Sequence, residues 1–321
     1  MMLISRRHMM FGLAVAGVGL AQPASAKGHI ITGLAFGSGW RMEVESIEEM
    51  HTANSVIKRI VADVDQEMSP YKNTSALSQF NAARTTDWQP MPAAMCTVAI
   101  KALRIAGLSN SAFDPTVGPL VSRFGFGPIK GGAGLYKDIN VKPNSIKKNT
   151  SDLTLDFCGI AKGYALDLVA SELARLGLRN AIIEIGGEVA TLGRHPDGRP
   201  WQVGIVDPNS SDFAVRHIVE PRGLALATSG HSGNGISGPI SSSHIIDPRI
   251  GRPAATTLAS VSVLASTAME ADALATALCA AGLGTGLTLA KRLGVSALFI
   301  ADNSQAENAV MTGKFDAHIV A

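Results

Sequence analysis

His244 stands in Ser243-His244-Ile245-Ile246-Asp247-Pro248, an imidazole with a hydroxyl and a carboxylate close by in the chain. Histidine titrates near neutrality, so it can take a proton from an attacking hydroxyl group. A Ser–His–Asp hydrolase would need such a residue, yet no GxSxG nucleophile elbow occurs anywhere in the sequence. A structural histidine fits the same residues. Asp272 and Thr276 lie four apart in Ala271-Asp272-Ala273-Leu274-Ala275-Thr276. On a helix both oxygens project from one face. A carboxylate and a hydroxyl are hard donors, suited to Mg²⁺ that shares phosphate oxygens and unsuited to Zn²⁺. An aspartate bonded to the threonine of the next turn gives the same pattern.

Three further segments bear on anions and rings. Asp156-Phe157-Cys158-Gly159-Ile160-Ala161-Lys162-Gly163 runs from a predicted strand into a predicted helix. A helix N-terminus offers unpaired N–H groups and partial positive charge, and Lys162 adds a full charge, which suits a phosphate. The glycine spacing is not that of a Walker loop, and a solvated lysine on an amphipathic helix is the alternative. Ile185-Gly186-Gly187-Glu188 places paired glycines at a strand end, either a turn or a close approach to a ligand. Ala112 to Leu120 and Phe124 to Pro128 combine proline, glycine and phenylalanine, either lining a slot for a planar ring or packing on a core.

The elements that must position these groups follow from periodicity. Trp40, Met42 and Val44 alternate with Arg41, Glu43 and Glu45, so Gly33 to Val44 reads as a half-buried strand. Ser46 and Glu49 form a capping box ahead of Met50, Ala53, Ile57, Ile60, Val64 and Met68 at helical spacing, and Pro70 ends that helix. A second helix is expected from Pro92 to about Leu108, a third from Ile160 to Leu176 closed by Gly177, and two more over Ala268–Ala281 and Thr285–Leu293. Strands are expected at Leu153–Phe157, Asn180–Ile185, Trp201–Val206, Gly223–Ala227 and Val295–Ile300. The Lys- and Asn-rich stretch 130–152 is the candidate connection between two lobes. Strands and helices mix without strict alternation, which gives the class α+β.

Composition narrows the classes. The 321 residues hold 28 Lys+Arg and 26 Asp+Glu. Two of the arginines, Arg6 and Arg7, precede the apolar run Phe11–Ala21, which is too short to span a bilayer, and Ala24-Ser25-Ala26 makes a small-x-small cleavage site. Residues 1–26 therefore read as a signal peptide, either of twin-arginine type or an ordinary secretory one with a chance Arg-Arg pair, with cleavage before Lys27 and a periplasmic product. The remainder balances 26 basic against 26 acidic residues, which gives no field to hold a nucleic-acid backbone. No later stretch has 18 uninterrupted apolar residues. The three cysteines, Cys96, Cys158 and Cys279, are scattered; they read as small buried hydrophobes, with one disulfide left open.

Taken in order, Ser69-Pro70-Tyr71 with Ser75 and Phe80-Asn81, Phe113-Asp114-Pro115-Thr116, Gly159-Ile160-Ala161-Lys162-Gly163-Tyr164, Gly186-Gly187-Glu188, Ala227-Thr228-Ser229-Gly230, the His244 segment and the Asp272–Thr276 segment resemble the ApbE family of FAD:protein FMN transferases. The resemblance runs from about Gly33 to Ile300. It implies an α+β fold related to the T-fold. It also implies Mg²⁺-dependent splitting of FAD, with FMN passed to a threonine or serine hydroxyl of an acceptor protein and AMP released. Hydrolysis of FAD to FMN and AMP, or flavin binding without catalysis, are the alternatives. Roles follow by position. Phe36 ahead of Gly37, Tyr71, Ala112, Phe113, Asp114, Asp156, Lys162 and Ile246 match FAD contacts. Gly159, through its carbonyl, Asp272 and Thr276 match metal ligands, and His244 matches the base. The implied acceptor is a periplasm-facing electron-transfer subunit. One departure concerns Thr-Ser-Gly, after which many members carry an acidic or amide residue and then Tyr; His231-Ser232 stand here, which makes His231 a second candidate base.

Overall fold

The structure is a computed structural model and describes residues 28–132, 134–210, 212, 214–231, 243–302 and 309–320. The expected signal peptide and its cleavage site lie outside the described residues, as does Ser232.

Strands β1 (His29–Ala35) and β2 (Ser38–Val44) pair as a hairpin. The alternation of Trp40, Met42 and Val44 is borne out by their burial. The single strand expected from Gly33 is instead broken by a two-residue turn, in which Phe36 (φ 53°) and Gly37 (φ 75°) both take positive φ. Two positive φ values match the right-handed twist of a hairpin; a phenylalanine in the first place gives no turn signal. Helix α1 (Ile47–Met68) starts at Ser46, whose Oγ accepts the Glu49 N–H at 3.1 Å. The box is only half formed, because the Glu49 carboxylate accepts from Glu45 N rather than Ser46 N. Helix α2 (Ala76–Ala82) follows, then the two-residue β3 (Gln89–Pro90), α3 (Ala93–Leu108) and the short α4 (Gly118–Arg123).

The Lys- and Asn-rich stretch contains a hairpin, β4 (Ile139–Lys142) with β5 (Ser145–Lys148), which β3 completes to three strands. Its Ile139 and Ile146 belong to the same buried cluster as Trp40 and Phe80. Leu153–Phe157 is not a strand. The Asn81 amide donates to Leu155 O at 2.8 Å and accepts Leu155 N–H at 2.7 Å, so a side chain replaces the partner strand. The fully buried Lys148 fastens the same place, donating to Phe80 O and Leu153 O at 3.1 and 2.9 Å. Burial lowers its amine to about 8.

Helix α5 (Ala161–Arg175) ends as expected, with Gly177 at φ 91°. Strands β6 (Ala181–Ile185) and β7 (Glu188–Leu192) form a hairpin; β8 (Val203–Val206) pairs with β9 (Val215–Val219). Next come β10 (Ala225–Gly230), the short pair β11 (Ile246–Asp247) and β12 (Arg252–Pro253), and β13 (Leu258–Ala265). Helix α6 (Ala268–Leu293) is broken by non-helical Gly282, so the two expected helices are one element with a kink. Strands β14 (Ser296–Ala301) and β15 (Ala309–Thr312) close the fold.

Eight strands make one antiparallel sheet in the order β1-β2-β6-β7-β10-β13-β14-β15. Period-two alternation gives it two apolar faces. Ala227, Val263 and Phe299 join the main core with residues of α1, α3, α5 and α6, whereas Leu226, Leu264 and Leu298 join Ile205, Val219 and Phe315 on the other face. Helix α6 is long and apolar enough to cross a membrane by composition, yet it is built into this core. The α+β class is borne out.

Candidate active site

The site is built where α5 and α6 begin. Asp167 of α5 accepts the N–H groups of Ala268 and Met269 at 2.7 and 2.9 Å, and Thr267 Oγ accepts that of Glu270 at 3.2 Å. Three otherwise orphaned donors at the α6 N-terminus are thereby satisfied. Gly163 makes the contact possible: a Cβ there would lie 2.3 Å from Ala268 O. Gly163 N–H also donates to Asp272 Oδ2 at 3.1 Å. Asp167→Ala should cost about 1–2 kcal/mol, the usual size of a lost cap, and should lower turnover by displacing Asp272. Thermal unfolding with steady-state kinetics would check this; unchanged stability and turnover would refute it.

Lys162 is the hub. Its ammonium lies 2.8 Å from Glu188 Oε1 and 3.5 Å from Asp272 Oδ1, and both acids are 2% exposed. Burial alone would lower the amine, but Asp272 and then Glu188 hold it above the ordinary lysine range. Burial pushes Glu188 up, and Lys162 opposes that shift. Glu188 Oε2 is buried and has no hydrogen-bond partner among the described residues. Glu188 was legible only as part of a paired-glycine segment. Gly186 and Gly187, at φ 64° and 103°, turn β6 into β7 and set Glu188 against Ile185 as the first residue of β7.

Thr276 Oγ1 lies 3.3 Å from Ser229 Oγ, at the end of β10. A Cβ added to Gly159 would lie 2.9 Å from Thr276 Oγ1 and 3.3 Å from Phe113. The expected metal residues Gly159 and Thr276 meet, with Asp272 one turn before Thr276 and Phe113 beside them, and Ser229, named in the sequence only within the Thr228-Ser229-Gly230 motif and without a role, joins them. Two buried acids face one ammonium, and burial pushes one of them, Glu188, up to about 8. With hydroxyl oxygens at hand and one carboxylate oxygen orphaned, this donor set fits a hard divalent cation.

The two histidines are separated by their bonding. His231 Nδ1 pairs with Ser243 Oγ, and its Nε2 lies 3.7 Å from Cys279 Sγ. Burial and then the neighbouring His244 lower it to about 4. Both ring nitrogens are engaged, which makes it a poor base. His244 Nδ1 has no partner among the described residues, and Phe126 packs edge-on against the ring at 6.2 Å. Burial, and then the charge of Lys162, lower its pKa. The flanking groups do not serve it: Ser243 serves His231 and Ile245 N, and Asp247 is held by Arg249 through two bonds of 2.8 and 2.7 Å. A Ser–His–Asp triad is absent among the described residues.

The remaining candidates are placed as follows. Asp114 is buried and braced: Oδ1 accepts Thr116 N–H and O–H at 2.9 and 2.7 Å, and Oδ2 accepts Tyr136 N–H at 3.1 Å. Asp156 Oδ1 accepts Cys158 N–H at 2.8 Å, shaping the turn into α5. Ala112 and Ile246 are buried. Phe36 lines a shallow depression with Ala35, Val61, Asp65 and Lys72, and Tyr71 is 69% exposed. Gly186 N–H to Gly39 O, 2.9 Å, ties that hairpin to the Gly186 turn. Cys96 and Cys279 are buried as expected, Cys158 is exposed, and none is paired.

The ApbE family profile matches residues 36–299 of this chain. A FAD:protein FMN transferase of Vibrio cholerae serotype O1 is 34% identical over 273 residues, covering 79% of this chain and 80% of that protein. One of Salmonella typhimurium is 32% identical over 321 residues, covering 92% and 91%. Among solved structures, the flavin transferase ApbE from Vibrio cholerae superposes with a TM-score of 0.81 at 30% identity, over 92% of this chain and 100% of that one. The apo flavinyl transferase ApbE of Pseudomonas stutzeri also gives 0.81 at 30% identity, over 92% and 98%.

Proposed function

The chain belongs to the ApbE family, and from that we propose that it transfers the FMN portion of FAD to a threonine or serine hydroxyl of an acceptor protein, with release of AMP. The observation that carries this reading is the buried cluster of Lys162 and Asp272 beside Thr276, with His244 brought to the same helix: its neighbour Ser243 bonds His231, which reaches Cys279 one turn beyond Thr276 on α6, and His244 Nδ1 has no partner among the described residues. In phosphoryl transfer a protein mainly positions groups and neutralises charge. Asp272, Thr276 and the Gly159 carbonyl would hold Mg²⁺. When bound, it would withdraw charge from the pyrophosphate oxygens.

The chain's own groups do the rest. Lys162 places a fixed positive charge against the phosphates. Phe113 and Phe36 would offer flat faces to the isoalloxazine; Asp114 stiffens the loop that carries Phe113, and Asp156 shapes the turn into α5. His244 Nδ1 accepts the proton of the acceptor hydroxyl as its oxygen bonds to the FMN phosphorus. The bond from that phosphorus to the bridging oxygen breaks, and AMP departs with the electron pair. Measuring AMP release from FAD with and without acceptor tests this. Release that needs the acceptor supports transfer, whereas equal release without it favours FAD hydrolysis. FAD that binds and stays intact favours a non-catalytic flavin binder.

Arg6-Arg7, the short apolar run and Ala24-Ser25-Ala26 further support export to the periplasm. The acceptor would then be a periplasm-facing electron-transfer subunit. Arg6→Lys with Arg7→Lys should leave the protein in the cytoplasm. Normal export of that double variant, followed by cell fractionation, would rule out the twin-arginine route.

A further inference from the structure

Glu188 is almost completely buried, and nothing in the proposed reaction uses it. A second carboxylate beside a pyrophosphate site repels the substrate, so its presence calls for a compensating role. The distances supply one. The Lys162 ammonium is shared unequally, 2.8 Å from Glu188 Oε1 but 3.5 Å from Asp272 Oδ1. Asp272 Oδ2 is fixed by the Gly163 N–H, so Oδ1 is the oxygen available to a cation, and it is the one Lys162 would occupy. We infer that Glu188 is a positioning residue that draws the Lys162 ammonium away from Asp272, leaving that carboxylate free to bind a divalent cation.

The inference rests on the reading of Asp272 as the anionic metal ligand. Without Glu188, Lys162 would swing onto Asp272 and compete with the metal. The competition is removed again if the lysine is removed as well. Measured above pH 8, where Glu188 is ionised, charge makes a clean control: two carboxylates with one ammonium and one carboxylate alone carry the same net charge. A Glu188/Lys162 double variant therefore keeps the local charge of the wild type while lacking the competitor.

The test is Mn²⁺ binding without FAD, followed by the loss of the free-Mn²⁺ paramagnetic resonance signal, on the folded full chain. Wild type, Glu188→Ala, Glu188→Gln, Lys162→Met, Glu188→Ala/Lys162→Met and Asp272→Ala would be compared. Glu188→Ala and Glu188→Gln should each weaken binding by roughly tenfold or more, in line with one close charge pair in a partly buried site. Lys162→Met should bind more tightly than wild type, and the double variant should return to wild-type affinity or better. A double variant as weak as Glu188→Ala would overturn the inference, because Glu188 would then act as a direct ligand or by its own charge. Wild-type affinity in both Glu188 single variants would overturn it too. Retained binding in Asp272→Ala, or none in the wild type, would instead contradict the reading of Asp272 from which the inference starts.

Discussion

Asp272→Ala is expected to abolish turnover while flavin binding survives in part. The substitution removes the only carboxylate among the three proposed metal ligands and leaves Phe113 and Phe36 in place. It also strips Gly163 N–H of its acceptor and leaves Lys162 paired with Glu188 alone. Thr276→Val should be milder, since it deletes one neutral oxygen from the proposed ligand set, with Ser229 Oγ 3.3 Å away. Activity titrated against Mg²⁺ separates the two. Thr276→Val should regain much of its rate at high Mg²⁺, and Asp272→Ala should not. Small, equal losses in both variants at every Mg²⁺ concentration would show that this pair does not hold the metal.

The second large effect is at His244. His244→Ala should lower the transfer rate by roughly two to four decades, the usual contribution of a general base, with FAD affinity little changed. Its basic form is the active one. Burial and Lys162 lower its pKa, so the neutral imidazole persists to more acidic pH than in a free histidine. The rate should therefore rise with pH and level off below the ordinary histidine value of about 6.5. His231→Ala should leave that rise in place, because His231 is bonded through Nδ1 to Ser243 and is lowered to about 4. Single-turnover labelling of an acceptor against pH would decide the matter. If His231→Ala removes the rise and His244→Ala does not, the two histidines have been assigned the wrong way round.

Much of the machinery is readable locally because its signals are local. Ser46 ahead of a helical apolar pattern, Gly177 after one, and Asp272 and Thr276 one turn apart need only chain geometry. What escapes the sequence depends on contacts between distant segments. Glu188 becomes a partner of Lys162 only once β6 and β7 have paired and α5 has packed against them. Asp247, four residues before Gly251 and three after His244, looks like a histidine partner until Arg249 claims it. Leu153–Phe157 has strand composition and an extended path, but the Asn81 side chain takes the bonds a neighbouring strand would have made. Asp114 matches a ligand contact by position, and the structure adds what the sequence does not show: its oxygens accept from Thr116 and Tyr136 and so brace the loop.

The most direct measurement is the intact mass of a candidate acceptor protein incubated with this protein, FAD and Mg²⁺. The acceptor should gain the mass of one FMN less one water, with one AMP formed per label, and Asp272→Ala should give neither. Free FMN and AMP in equal amounts, with the acceptor mass unchanged, would contradict it and identify the chain as an FAD-splitting hydrolase.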